Sequence, residues 1–188
     1  MPITDTFDSY TDGDLTGQGS WSGDVDFDVE GSVVQSGAKA VQNSGTNKSI
    51  TKTGSLSATG IQSLWGRVTT TDNDVWAIRL SEGGTNRIGV KSSGGNLQYY
   101  DGSVYITIGA VSLDTWFKLD VQWDFSTQMA RYQLNDGGYT AYDTILANMS
   151  AGIDGVKLEC NTTGALAYWD TLGPGTSVNM GSMFSVFD

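Results

Sequence analysis

Between residues 116 and 123 the chain alternates without a fault: Phe117, Leu119, Val121 and Trp123 fall on one side, Trp116, Lys118, Asp120 and Gln122 on the other. A period of two belongs to an antiparallel strand with one buried and one wet face, and a helix cannot satisfy it. Residues 124–128 then read as a turn. Met129–Leu134 alternates back, with Ala130, Tyr132 and Leu134 in phase, and Asn135-Asp136-Gly137-Gly138 ends the run with strong turn chemistry. The two runs predict a hairpin whose apolar side faces a core.

The same pattern recurs along the chain. Residues 61–70, 74–81, 87–91, 97–100, 104–108, 155–159 and 165–171 read as strands, separated by Asp72-Asn73-Asp74, Gly83-Gly84, Gly94-Gly95-Asn96 and Asp101-Gly102. The first 60 residues are less regular, with candidates at 3–7, 39–42 and 49–55. The best helix candidate, 142–149, is short and uncapped. Glycine at 25 residues against two prolines suits many tight turns. A dozen short strands in 188 residues, with no repeat and no linker, predict one all-β domain over 1–188. Several strands have one wet face, which favours two packed sheets over a barrel.

Composition narrows the function. A net charge of −11 repels nucleic acid and anionic membrane, so neither is an expected partner. Cys160 is the only cysteine, which excludes an intramolecular disulfide, and the absence of histidine removes every Ser-His or Cys-His arrangement. The start, Met1-Pro2-Ile3-Thr4-Asp5, has neither a basic nor an apolar segment and does not read as a signal peptide. No run approaches the roughly 20 apolar residues of a membrane helix.

Particular motifs carry a family likeness. Phe7-Asp8-Ser9-Tyr10, Gly13-Asp14-Leu15, Gly17-Gln18 and Trp21 resemble the opening of concanavalin A-like lectin/glucanase modules of the LamG type. Gly37-Ala38-Lys39-Ala40-Val41 resembles their small-residue strand, 116–127 their central hairpin, and Ala167-Tyr168-Trp169-Asp170-Thr171-Leu172 their last core strand. The resemblance implies a jelly-roll β-sandwich of two antiparallel sheets. That family mixes glycan binders, glycan-cleaving enzymes, adhesion modules and viral structural proteins. Members without a signal peptide occur on bacteriophage particles. The expectation is therefore a non-enzymatic structural or adhesion protein on a virion, assembled in the host cytoplasm. It would decorate capsid or tail, contact glycans and associate with copies of itself. The alternatives are an extracellular carbohydrate-binding module or lectin, and a glycoside hydrolase using the carboxylates from Asp24 to Glu30.

Three sets of residues are candidates for a site. If extended, Asp24, Asp26 and Asp28 share one face at about 6–7 Å spacing. They resemble the alternating acids of laminarinase-type enzymes, with Asp where that pattern has Glu and far too early in the chain, so catalysis is not expected there. Jelly-roll glycan-binding modules often hold a structural calcium between an acid near each terminus, and the resemblance places Asp8 and Asp170 at those positions. The competing reading is that both accept backbone hydrogen bonds in turns. The third set is the rings Trp65, Trp76, Tyr99, Tyr100 and Tyr105, with Tyr139 and Tyr142, as glycan or subunit contacts. Tyr99 and Tyr100 are adjacent, so one must point away from the core. Trp123, Tyr132 and Trp169 are expected in the core, and Cys160 as a small buried residue.

Overall fold

A computed structural model of the chain describes residues 2–162 and 164–175. The alternating runs form β11 (Phe117–Asp124) and β12 (Met129–Leu134), paired antiparallel with Val121 opposite Tyr132. Asn135 and Asp136 follow in the left-handed region at φ 51° and 56°, as their turn chemistry predicts. The hairpin belongs to an eight-stranded antiparallel sheet. Its order is β1 (Gly13–Asp14), β3 (Phe27–Glu30), β4 (Ala40–Asn43), β15 (Ala167–Pro174), β6 (Thr59–Val68), β11, β12 and β13 (Asp143–Thr144). The second sheet has seven strands: β10 (Tyr105–Ala110), β9 (Asn96–Tyr100), β8 (Thr85–Ser93), β7 (Ala77–Glu82), β14 (Ile153–Cys160), β5 (Lys48–Ser57) and β2 (Trp21–Gly23). No helix occurs among the described residues, so none there is long and apolar enough to cross a membrane.

The expected two-sheet sandwich is what forms, and its core is aromatic. Trp21, Trp76, Trp123 and Trp169 are fully buried. Trp76 stacks on Trp169 at 6.2 Å and meets Phe117 edge-on at 5.1 Å, while Phe27 packs on Trp169 at 5.5 Å. A Cβ at Gly66 would stand 2.6 Å from the Phe117 ring and 2.7 Å from Trp76, so glycine lets both rings close on β6. The N-terminal segment is tied in by one carboxylate. Asp5 accepts hydrogen bonds from Tyr10 Oη (2.6 Å), Trp21 Nε1 (2.7 Å) and Lys52 Nζ (2.8 Å).

Two expected elements do not form. The strand expected at 3–7 reduces to a single bridge, Asp5 with Leu172. Beside it the Gln62 side chain takes the N–H and C=O of Ile3, both at 2.9 Å, in place of a strand partner. The helix candidate at 142–149 instead contributes β13 and a loop. There the Gln128 amide accepts from Met149 N (2.7 Å) and donates to Met149 O (3.2 Å), so a neighbouring side chain replaces the helical ladder.

Candidate functional site

On β11 the side chains of Lys118, Asp120 and Gln122 alternate with the core residues and stand on the outer face of the eight-stranded sheet. Register brings Trp65 of β6 opposite Lys118, and Ser63 opposite Asp120. On the other side Gln133 and Arg131 of β12 lie opposite Asp120 and Gln122. Toward β15, Tyr168 lies opposite Arg67. The Arg67 guanidinium lies 5.1 Å from the Tyr168 ring centroid and donates to Asp114 (2.8 Å), and Trp116 meets Tyr168 edge-on at 6.3 Å. The loop after β12 brings Tyr139 and Tyr142 onto Arg131. Rings, guanidinium groups, amides and carboxylates thus share a single face.

Asp120 is the unusual member. It is 2% exposed, although it sits on the side of the strand that alternation marks as wet. Lys118 Nζ lies 3.6 Å from Oδ2, and Oδ1 has no hydrogen-bond partner among the described residues. The Tyr139 hydroxyl, also buried, has none among the described residues either. A buried polar atom without a protein partner retains its capacity for a further hydrogen bond. Burial, and then the charge of Asp120, holds the Tyr139 hydroxyl above the ordinary phenol range. A Cβ at Gly175 would lie 3.4 Å from Asp120 Oδ1, so the end of β15 passes close to that buried oxygen. A separate cleft of about 260 Å³ lies against Ile3, Thr4 and Lys52, but the Lys52 ammonium is already held by Asp5.

The expected site residues do not converge. Trp65 stands half-buried on the outer face just described. Trp76 is core, its Nε1 donating to Tyr168 O (3.1 Å). Tyr99 is also core, stacked on Tyr132 at 4.3 Å with its hydroxyl on Asp143 (2.5 Å). Tyr100 and Tyr105 pair at 4.9 Å on the seven-stranded sheet, and Lys91 Nζ lies 3.9 Å from the Tyr105 ring. Trp65 and the Tyr100–Tyr105 pair therefore lie on different sheets. Trp123, Tyr132, Trp169 and Cys160 are buried as expected.

Asp8 and Asp170 serve one loop. Asp170 Oδ2 accepts from Gln35 N (2.8 Å) and Ser36 N (3.2 Å), and Asp8 Oδ1 from Ala38 N (2.6 Å) and Lys39 N (3.1 Å). Glu30 accepts from Ser32 N (2.6 Å) and Val33 N (2.9 Å) of the same loop. Among the described residues no group of three or more carboxylate, thiol or imidazole side chains is assembled that could hold a metal ion. This donor set suits a loop held by its own amides.

The acidic run does not place three carboxylates on one face. Asp24 and Asp26 precede β3, where Lys48 Nζ lies 2.7 Å from Asp26 and 3.9 Å from Asp24. Only Asp28 and Glu30 share a strand face. Asp28 lies opposite Asp14 of β1. Desolvation within the strand pair, and the charges of Asp14 and Asp26, hold its carboxyl above the usual range.

No known protein family and no curated protein matches the sequence. Solved structures do match the fold. The chain is similar to a sialidase (TM-score 0.66, 11% identity), covering 95% of this chain and 19% of that one. It is similar to the catalytic domain of a glycoside hydrolase family 131 protein from Coprinopsis cinerea (TM-score 0.58, 13% identity, 93% and 94% covered). It is also similar to carbohydrate-binding module CBM66 from Bacillus subtilis (TM-score 0.52, 10% identity, 84% and 96% covered). The chain is a concanavalin A-like jelly-roll sandwich. It spans about a fifth of the sialidase's length. The expectation of a non-enzymatic protein is corrected by these likenesses, since a sialidase and a glycoside hydrolase catalytic domain are among the similar structures. That expectation also rested on Asp120 as an ordinary wet-face residue, whereas it is buried, with one oxygen unpaired among the described residues.

Proposed function

We propose that the chain binds carbohydrate on the outer face of its eight-stranded sheet. The observation that carries this reading is Asp120, whose buried Oδ1 lacks a donor at the centre of a face bearing Trp65, Tyr139 and Tyr142. A sugar hydroxyl supplies the missing donor, and an aromatic ring offers an apolar plane to the C–H face of a sugar. The likeness to a carbohydrate-binding module supports the reading at the level of fold. Glycan-array screening followed by titration calorimetry tests it. Asp120→Asn and Trp65→Ala should each weaken binding about tenfold, equivalent to roughly 1.4 kcal/mol, with the circular dichroism spectrum unchanged. Absence of glycan binding, or variants that bind as the parent does, would defeat the proposal.

Hydrolysis of glycosides is the second reading, and the Asp14–Asp28 pair favours it. Directly opposed residues place their Cβ atoms about 4.5–5.5 Å apart, and a retaining glycosidase needs two carboxyls roughly 5 Å apart with one held protonated. Reducing-sugar release from β-glucans or galactans, lost in Asp28→Asn, is the result this reading requires. The virion setting expected from the sequence is a separate matter, decided by whether purified particles contain the protein.

A further inference from the structure

Arg131 stands apart electrostatically. The chain has 10 basic side chains and a net charge of −11. The other nine are all in ion pairs with carboxylates. Arg131 has no carboxylate partner among the described residues. Its Nε donates to the neutral amide of Gln122 at 2.7 Å, and its guanidinium carbon lies 4.4 Å from the Tyr139 ring centroid and 4.7 Å from that of Tyr142. Its terminal amino groups make no hydrogen bond to the described residues. A cation surrounded by so many acids, yet held by rings and an amide, keeps its planar fork free.

We propose that Arg131 is a carboxylate-binding fork on the glycan face, and that the ligand is a polysaccharide containing carboxylated sugars. The inference rests on the carbohydrate-binding reading above and names its substrate class. Two parallel N–H donors match the two oxygens of a carboxylate, a geometry that an ammonium cannot offer. The bond to Gln122 and the two rings fix the guanidinium before binding, so little side-chain freedom is lost when the ligand arrives. The net negative charge of the protein repels an acidic polymer at long range, so recognition must come from a local, unneutralised cation. Arg131 is that cation.

The neighbouring groups complete the subsite. Asp120 lies opposite Gln133 and Arg131 opposite Gln122, so Asp120 and Arg131 are diagonal neighbours on adjacent strands, typically about 7–8 Å apart between backbones. One sugar residue can reach both. Asp120 Oδ1 accepts from a ring hydroxyl, and the Tyr139 hydroxyl, protonated at neutral pH, donates to another. Lys118 Nζ, 2.6 Å from Asp136 and 3.6 Å from Asp120, offsets part of the acid's charge toward an anionic ligand.

The test compares polygalacturonate, alginate and hyaluronan oligosaccharides with their carboxyl-reduced counterparts by calorimetry at low salt. The full chain should bind at least one carboxylated oligosaccharide about tenfold more tightly than its reduced form. Arg131→Gln should abolish that difference, the two forms then binding with equal affinity. Arg131→Lys keeps the charge without the fork and should lose most of the difference, and an unchanged melting temperature in either variant shows an intact fold. Equal affinity for carboxylated and reduced forms, or a preference that survives Arg131→Gln, overturns this inference while the carbohydrate-binding reading stands. If no glycan of any kind binds, both fall.

Discussion

Leu119 has no exposed surface and lies in the middle of β11, the strand whose alternation is clearest in the sequence. Truncation there leaves a cavity between two sheets that cannot close on it. Leu119→Ala should cost about 2–5 kcal/mol, read from the shift of a guanidinium unfolding midpoint; a loss below about 0.5 kcal/mol would mean the site is not core. Phe117, Leu119, Val121 and Trp123 were legible because every second residue is apolar and the intervening ones are not. Trp76 was not, because Val75, Ala77 and Ile78 around it are all buried and no phase can be read. Tyr99 could have been placed: it is two residues from Leu97, which is buried on the same side. The burial of Asp120 was out of reach, because it depends on how distant parts of the fold pack over the sheet. Arg131 likewise reads as an ordinary wet-face cation until the partners of the other nine basic residues are known.

At the scale of elements, the loops are held by carboxylates that collect consecutive backbone amides. Glu82, at the end of β7, accepts from Ser150 N (2.7 Å), Ala151 N and Gly152 N (3.1 Å), and meets Arg87 at 2.8 Å. The amide of Ser150 leads the interactions that hold its carboxyl below the usual range, against an opposing desolvation. In the unfolded chain Glu82 takes up a proton near pH 4.3, earlier than in the fold. Its stabilisation is therefore complete above that pH and is lost as the pH falls through the lower folded value. Melting temperature measured against pH should fall on the acid side, and Glu82→Gln should flatten that limb while lowering stability at pH 7. An acid limb identical in the variant would assign the dependence elsewhere. The strands themselves were largely legible: those expected at 61–70, 87–91, 97–100 and 155–159 all form, displaced by a few residues at their ends. The failures at 3–7 and 142–149 share one cause. In both, a glutamine side chain, buried Gln62 or half-buried Gln128, answers the backbone from 21 or more residues along the chain, and local periodicity holds no trace of such a partner.

At the scale of the whole molecule, the sandwich was legible from the number and wetness of its strands, while the strand order was not, since alternation says nothing about neighbours. The two last long strands take central places. β14 lies between β7 and β5, and β15 between β4 and β6. Removing β15 therefore splits the eight-stranded sheet into β1-β3-β4 and β6-β11-β12-β13. A chain ending at Gly164 should lose the sharp cooperative melting of the intact protein; retention of a native-like transition would show that β15 is dispensable. The same placement bears on how the protein is made. A ribosome delivers the flanking strands long before the one that joins them, so the nascent chain carries two half-sheets with open inner edges. Such edges pair with whatever strand is offered, and the exposed interval lasts until residue 174 clears the exit tunnel. Every copy is thus most vulnerable to misassembly in the interval before β15 emerges, and a chaperone would act there.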